Sequence, residues 1–161
     1  MGPAAFRFVP GQGSSSQGSP VEGTAFSPLF KLLATLIVGG CAAWLIRLWL
    51  SGVLGTGRTT GVAWFIAGLA MMTWTWLSIL RSRTRIDSTG LTQRWMWNKY
   101  MAFDDLAYGK LIRVRGLDWL IAPRFYVRTL MGKFAVFYGA TPQLVAEFER
   151  ISSELHKFRQ L

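Results

Sequence analysis

The side chains that could do chemistry are few in this sequence of 161 residues. It contains one histidine, His156, and one cysteine, Cys41. A single histidine excludes a multi-histidine metal site, and a single cysteine excludes an internal disulfide framework or a cysteine-based zinc cluster. His156 lies among charged residues, including Glu154 and Lys157, so we expect it on a solvated helix face. The sequence has no nucleophile-elbow motif that would let this histidine serve a triad.

Asp104 and Asp105 are adjacent carboxylates that could bind a metal or act as an acid–base pair. Neighbours in a strand point to opposite faces, however, and neighbours on a helix diverge by about 100°. We therefore expect these two residues to cap a turn or to contact arginines. The glycines between residues 52 and 61 lack the Lys-Ser/Thr ending of a phosphate-binding loop. The sequence thus predicts no enzymatic activity, no metal and no cofactor.

The composition indicates a small membrane protein with a basic polar part. Half of the chain (51%) is hydrophobic and 16% is charged, whereas soluble globular chains carry roughly 25% charged residues. Lysine and arginine number 18 against 8 acidic residues, a formal net charge of +10. Eight tryptophans and eleven phenylalanines are too many for a disordered chain.

Two apolar stretches predict a transmembrane helical hairpin over residues 29–80. Residues 29–50 carry only two charges, Lys31 and Arg47, and residues 62–80 carry none. The first stretch would extend about 33 Å as a helix, enough to cross a bilayer. A linker rich in Gly and Thr, residues 51–61, joins the two spans.

Basic residues predict the orientation of this hairpin. Arg81, Arg83, Arg85 and Arg94 follow the second span, whereas the linker holds only Arg58. The positive-inside bias then puts the C-terminal part in the cytoplasm. Two crossings return the N-terminus to the same side, so we expect a multi-pass plasma-membrane protein with both termini cytoplasmic.

Residues 1–28 are rich in Gly, Ser and Pro and offer little apolar surface to offset the entropy of ordering them. We therefore predict a flexible N-terminal arm over this range. The cluster Phe6-Arg7-Phe8-Val9 could still dock on a partner.

Residues 81–161 are soluble in character and predict an antiparallel sheet followed by one helix. Alternation and turn signals predict strands over residues 84–87, 91–97, 111–115, 124–130 and 133–138. From residue 141 the apolar residues recur at steps of three and four, which is typical of an amphipathic helix. The helix is the available cover for the apolar face of the sheet.

This order of elements resembles the bacterial pleckstrin-homology-like domains, which in many small membrane proteins follow a transmembrane hairpin. The resemblance rests on the opening hairpin Arg85–Leu91, on the segment from Trp97 to Leu106, on the late hairpin from Val127 to Phe134, and on the closing helix. It implies a twisted, barrel-like antiparallel sheet capped by the C-terminal helix, in a protein of a bacterial inner membrane. It implies no catalytic activity.

The basic residues of the polar part indicate contact with an anionic surface. Residues 81–135 hold eleven basic and four acidic residues, a local net charge of +7. A basic patch beside an anionic leaflet is attracted to it. Besides Arg81 and Arg83, the candidate lipid or partner contacts are Lys110, Arg113, Arg115, Arg124, Arg128 and Lys133. Since no nucleic-acid-binding motif accompanies these residues, we expect membrane lipid and other membrane proteins as partners, and no nucleic acid.

Small residues on the two spans are candidates for helix packing. Gly39 and Ala43 are four residues apart on the first span, as are Ala63 and Ala67 on the second, and small residues at this spacing let helices approach closely. They could pack the two spans together or meet another subunit. Arg47 lies about one turn from the end of its span, where it can snorkel to the interface or pair with a group outside the hairpin.

Taken together, these patterns favour a non-catalytic accessory or assembly subunit of a larger membrane complex. The hairpin would pack on partner helices, and the polar domain would dock on the cytoplasmic side. The alternative is a lipid-responsive sensor or scaffold that binds anionic headgroups through its basic face. A transporter or channel is disfavoured, because two spans could form a pore only as an oligomer.

Overall fold

The computed structural model describes residues 6–11, 18–52, 59–114, 116–117 and 119–160. They form two compact units. One is a helical pair over Pro28–Arg81. The other, the sheet domain, combines the described residues up to Ser27 with those from Ser82 onward.

The helical pair consists of α1, Pro28–Leu50, and α2, Thr59–Leu80. No residue of α1 is buried, and nearly all of the apolar stretch of α2 is uncovered as well. Both helices are long and apolar enough to cross a membrane, since about 20 such residues suffice. They match the predicted spans, although α2 begins three residues earlier than residue 62. Of the predicted linker, residues 53–58 lie outside the described residues.

A seam of partly buried side chains holds the two helices together. On α1 these side chains recur at steps of three and four residues, as in a coiled coil: Ala34, Val38, Cys41, Leu45 and Leu48. The indole N–H of Trp76 donates to the hydroxyl of Thr35 at 2.8 Å. The Lys31 ammonium lies 3.4 Å from the Leu80 carbonyl at the end of α2, where a cation is favoured by the helix dipole.

The strands of the described chain form two antiparallel sheets, which do not join into a closed barrel. The four-stranded sheet has the order β1 (Val21–Thr24), β2 (Arg83–Ile86), β3 (Gly90–Arg94), β4 (Asn98–Ala102). The three-stranded sheet has the order β5 (Leu106–Ile112), β6 (Arg124–Thr129), β7 (Phe134–Tyr138). Residues 95–97 form a turn, so the single strand predicted over residues 91–97 ends at Arg94.

The final helix, α3 (Pro142–Gln160), packs its apolar stripe onto the sheets. Leu144, Phe148, Ile151 and Leu155 recur at helical spacing and are all buried. Phe148 stacks on Phe125 of β6, with 4.8 Å between ring centroids. The structure confirms the predicted antiparallel strands and the C-terminal helix that covers them.

β1 comes before the helical pair in the chain, yet it pairs with β2, which comes after it. Val21 lies opposite Ile86, and Thr24 lies opposite Arg83. Glu22 forms an ion pair with Arg83 at 3.0 Å across the same two strands. The helical pair is therefore inserted between two neighbouring strands of one sheet.

The segment predicted as a flexible arm differs from that prediction in its described residues. Phe6 and Phe8 are only 3% and 2% exposed and join the domain core. Phe6 contacts Phe158 of α3 and Phe103 after β4, with 5.6 and 6.3 Å between ring centroids. The composition of residues 1–28 concealed this docking because two aromatic rings supply the apolar area that the surrounding Gly and Ser residues lack. The predicted sheet domain of residues 81–161 thus lacks a strand and part of its core.

Candidate interaction surfaces

The outer surface of the three-stranded sheet combines basic and aromatic side chains. Strand alternation turns Phe125 and Val127 inward, where both are fully buried, and turns their neighbours outward. We call this surface the basic–aromatic face and define it by Tyr108, Lys110, Arg124, Tyr126, Arg128 and Phe134.

The strand register sets these side chains in rows across the sheet. Tyr108 lies opposite Arg128, which lies opposite Phe134, and Lys110 lies opposite Tyr126. The rings of Tyr126 and Phe134 stack with centroids 6.2 Å apart. None of the three strands contains an acidic residue, so the face carries three positive charges without a carboxylate among them.

Exposed aromatic rings make this face unlike a plain solvated surface. Phe134 is 70% exposed and Tyr108 is 47% exposed. Aromatic and arginine side chains are enriched where proteins bind one another. The sequence prediction found the basic residues of this face but missed its aromatic ones, because their common orientation depends on the pairing of three strands and on an irregular register between Leu106 and Tyr108.

The remaining predicted basic contacts do not lie on this face. Arg113 follows β5 and forms an ion pair with Glu149 of α3 at 2.8 Å. Arg83 is paired with Glu22, and Lys133 lies in the turn between β6 and β7. Arg81 is an exposed residue of the helical pair, and Arg115 lies outside the described residues. The predicted basic patch is therefore divided among several surfaces.

A groove runs between β5 and α3, with a cavity of about 710 Å³. Its lining includes Lys110, Arg113 and His156, together with the Glu149 carboxylate. The Ser152 hydroxyl donates to the Gly109 carbonyl at 2.8 Å, so α3 covers part of the strand edge. His156 is exposed, as predicted, and faces mixed charge rather than a purely cationic pocket.

The two adjacent carboxylates lie in the turn between β4 and β5. Asp104 and Asp105 are both exposed, and the Asp105 backbone carbonyl accepts a hydrogen bond from the Leu130 N–H at 2.9 Å. In the described parts of the chain, no three His, Cys, Asp or Glu side chains come together to hold a metal ion.

The small residues of α1 and α2 lie away from the α1–α2 seam. Gly39, Ala43, Ala63 and Ala67 are all exposed, and a Cβ atom added at Gly39 would meet nothing within 4 Å. They do not pack the two helices of the pair together. These four positions therefore lie on the outer surface of the helical pair.

Arg47 lines a cavity of about 490 Å³ on the helical pair. The other lining residues are Ala43, Trp44, Leu48 and Ser51. Neither α1 nor α2 contains an acidic residue, so no carboxylate of these helices can neutralise the guanidinium.

No protein-family model, curated protein or solved structure matches this chain.

Proposed function

We propose that this protein is a non-catalytic accessory or assembly subunit of a larger complex in a bacterial inner membrane. The basic–aromatic face is the observation that carries the proposal. A surface with three cations, three aromatic rings and no carboxylate is suited to an acidic, partly apolar surface on a partner protein. A plain solvated sheet face would mix both signs of charge and keep large rings inside.

The outer surface of the helical pair supports the same role. Small residues at a spacing of four let a neighbouring helix approach closely, and such contacts drive helix association in lipid. Since Gly39, Ala43, Ala63 and Ala67 are not used between α1 and α2, they are available to helices of another subunit.

The sheet domain is consistent with a pleckstrin-homology-like module. Two antiparallel sheets and a C-terminal helix that packs on them support this assignment, although the described strands do not close the barrel-like sheet that the resemblance implies. One feature departs from the simple order of hairpin followed by domain. Here the hairpin interrupts the domain between its first and second strands.

This interruption also supports the proposed orientation. Because β1 pairs with β2, the chain must enter and leave the membrane on the same side. With arginines after the second span, the positive-inside bias favours the cytoplasm for the sheet domain. Both chain termini then lie on the cytoplasmic side.

The test is native purification of the full chain from membranes in a mild detergent, followed by mass spectrometry of the intact complex. We expect a co-purifying membrane protein that is lost when Lys110→Glu and Arg128→Glu are combined. Lys157→Glu, an exposed charge reversal on α3, is the matched control and should retain the partner. Recovery of the unaltered chain only as a free monomer would contradict the proposal.

The second candidate function is a lipid-responsive scaffold, because the same carboxylate-free face would also attract an anionic leaflet. A fragment of residues 81–161 is unsuitable for testing it, since the domain needs β1 and the two buried phenylalanines. The full chain in nanodiscs is suitable, with bound lipid counted by native mass spectrometry. Anionic-lipid binding that survives the double reversal at Lys110 and Arg128 would remove this candidate.

A further inference from the structure

The segment that leads from β1 to α1 and the segment that leads from α2 to β2 lie at the same end of the sheet domain. Thr24 and Arg83, opposite each other in the β1–β2 pair, mark this end. Phe26 contacts Trp95 in the turn between β3 and β4, with 5.5 Å between ring centroids. The Ser27 hydroxyl donates to the Leu120 carbonyl, in the connection between β5 and β6, at 2.8 Å. We call this end, with its turn at 95–97 and the described residues of the loop after β5 (113–114, 116–117 and 119–123), the connection end.

Apolar side chains project from both of these connections. Trp97 is 62% exposed and Trp119 is 55% exposed, and the neighbouring Met96 and Leu117 are about 40% exposed. The Trp119 indole N–H donates to the Gly116 carbonyl at 3.0 Å, which holds the ring on the loop. These rings contribute little to the domain core. A cluster of large apolar side chains exposed on a surface indicates a site that contacts a membrane or another protein.

The two ends of the domain differ in the balance of their charges. At or beside the connection end the chain carries Arg83, Arg94, Lys99, Arg113 and Arg124. Arg83 and Arg113 form ion pairs with Glu22 and Glu149, which leaves Arg94, Lys99 and Arg124 as the cations of this end without an ion pair in the described structure. At the opposite end, the turns after β2 and β4 carry Asp87, Asp104 and Asp105, the turn after β6 carries Lys133, and Asp87 forms an ion pair with Arg85. Cations lie over rings at the connection end: Arg124 is 5.7 Å from the Tyr138 centroid, and Lys99 is 5.9 Å from the Trp95 centroid.

From this combination we infer that the connection end lies in the headgroup region of the membrane that the two helices cross, with Trp97 and Trp119 as its anchors. The inference rests on the membrane location in the proposed function. Tryptophan favours the membrane–water interface, and basic residues are attracted to anionic headgroups.

Short covalent connections favour lipid over a partner protein as the occupant. Three residues separate Thr24 from α1, and two separate α2 from Arg83. At no more than about 3.6 Å per residue, the strand ends stay within about 15 Å of the helix ends. The interfacial layer on each side of the hydrocarbon core is roughly 5–7 Å thick. Connections this short keep the headgroups within reach of the connection end, so a protein partner would have to compete with them for this surface.

The test measures the membrane depth of single labelled cysteines in the full chain, with Cys41 replaced by serine. Met96→Cys and Leu117→Cys report on the connection end. Met131→Cys, an 87% exposed position in the turn between β6 and β7, is the matched control. Each carries an environment-sensitive fluorophore in vesicles of phosphatidylcholine, with or without phosphatidylglycerol. The lipids carry quenchers at a shallow or a deep acyl position.

We expect the shallow quencher to reduce emission from the labels at 96 and 117 several-fold more than emission from the label at 131. The contrast should be larger with phosphatidylglycerol and smaller at high salt. Combining Trp97→Ser with Trp119→Ser should weaken the shallow quenching, whereas Phe134→Ser, which removes an exposed ring of the basic–aromatic face, should not. Equal quenching at 96, 117 and 131 would overturn the inference.

A further label separates this inference from the membrane location itself. Met71→Cys reports on α2, where the side chain is 73% exposed, and the deep quencher should reach it. Quenching at 71 without shallow quenching at 96 and 117 refutes the inference alone. No quenching at 71 refutes the membrane location as well, while the accessory role is judged separately by co-purification.

Discussion

The guanidinium of Arg150 lies over the ring of Phe8, 4.4 Å from its centroid. The same guanidinium donates to the Val9 backbone carbonyl and forms ion pairs with Glu147 and Glu154 of α3 at 3.1 and 3.2 Å. A single side chain of the C-terminal helix thus contacts the N-terminal segment in two ways. The segment around Phe8 is a structural part of the sheet domain.

The first prediction concerns this docking. Phe8→Ala removes a ring that is 2% exposed and should lower the free energy of unfolding by about 3–5 kcal/mol. Val9→Ala, at a 46% exposed neighbour, should change it by less than about 0.5 kcal/mol. Thermal unfolding in mild detergent, followed by tryptophan fluorescence, measures both. Equal small effects would mean that the segment does not dock.

The sequence predicted the helical pair well, because two stretches of about 20 apolar residues with few charges are a strong local signal for helices long enough to cross a membrane. It did not reveal β1. That strand has only four residues, lies in a Gly- and Ser-rich context, and finds its partner beyond both helices. No local sequence pattern predicts the pairing of β1 with β2, because the residues that stabilise it are distant in sequence.

The second prediction concerns the pH dependence of stability. Burial raises the pKa of Glu147 above its usual value, although Arg150 and a backbone hydrogen bond from Gly11 act to lower it; Glu154 adds to the rise. A carboxyl with a raised folded-state pKa binds its proton more readily in the folded state than in the unfolded state. Its contribution to stability therefore falls as the pH rises through the carboxyl range.

Glu147→Gln makes this dependence measurable. Relative to the glutamine variant, the unaltered chain should gain stability as the pH falls from neutral into the acid range. Unfolding temperatures of the two proteins across a pH series give the difference. Glu149→Gln is the control for an acidic residue of the same helix, since the Glu149 carboxylate is 55% exposed. The raised pKa of Glu147 is contradicted if the difference in unfolding temperature between the unaltered chain and Glu147→Gln does not change with pH, or if it changes in the opposite direction.

The third prediction concerns the contact between β1 and α3. A Cβ atom added at Gly23 would overlap the Thr141 side chain and lie 2.7 Å from Leu144 Cδ1. Gly23→Ala should therefore destabilise the sheet domain by about 1–3 kcal/mol through overpacking. Gly39→Ala, where nothing lies within 4 Å, is the matched control. Unchanged unfolding in both variants would show that β1 does not approach α3 this closely.

The candidate interaction surfaces were only partly predictable. Alternation in β6 was enough to put Arg124 and Arg128 on one face, since that strand is regular. Arg113 was expected on a strand face, yet it lies beyond the end of β5 and pairs with Glu149. This ion pair depends on how α3 packs, which the sequence of β5 does not encode.

The fourth prediction separates the two surfaces of the helical pair by matched alanine substitutions. Ala34 lies in the partly buried seam, whereas Ala43 is exposed. Ala34→Leu should disturb the packing of α1 on α2 and lower the thermal stability of the chain, since added volume in a packed seam costs about 1–3 kcal/mol. Ala43→Leu should leave stability unchanged, because its added volume projects outward.

Co-purification of partner proteins should respond to the outer substitution. Under the proposed accessory role, Ala43→Leu fills the surface on which a neighbouring helix would approach, so the partner should be lost while the chain stays folded. Native mass spectrometry shows whether the partner is still bound, and thermal unfolding of the same sample shows whether the chain is still folded. A folded Ala43→Leu chain that retains its partner would remove this surface from the interface. Because Gly39→Leu enlarges the same surface at a second position, agreement between the two variants would link partner loss to the surface rather than to one residue.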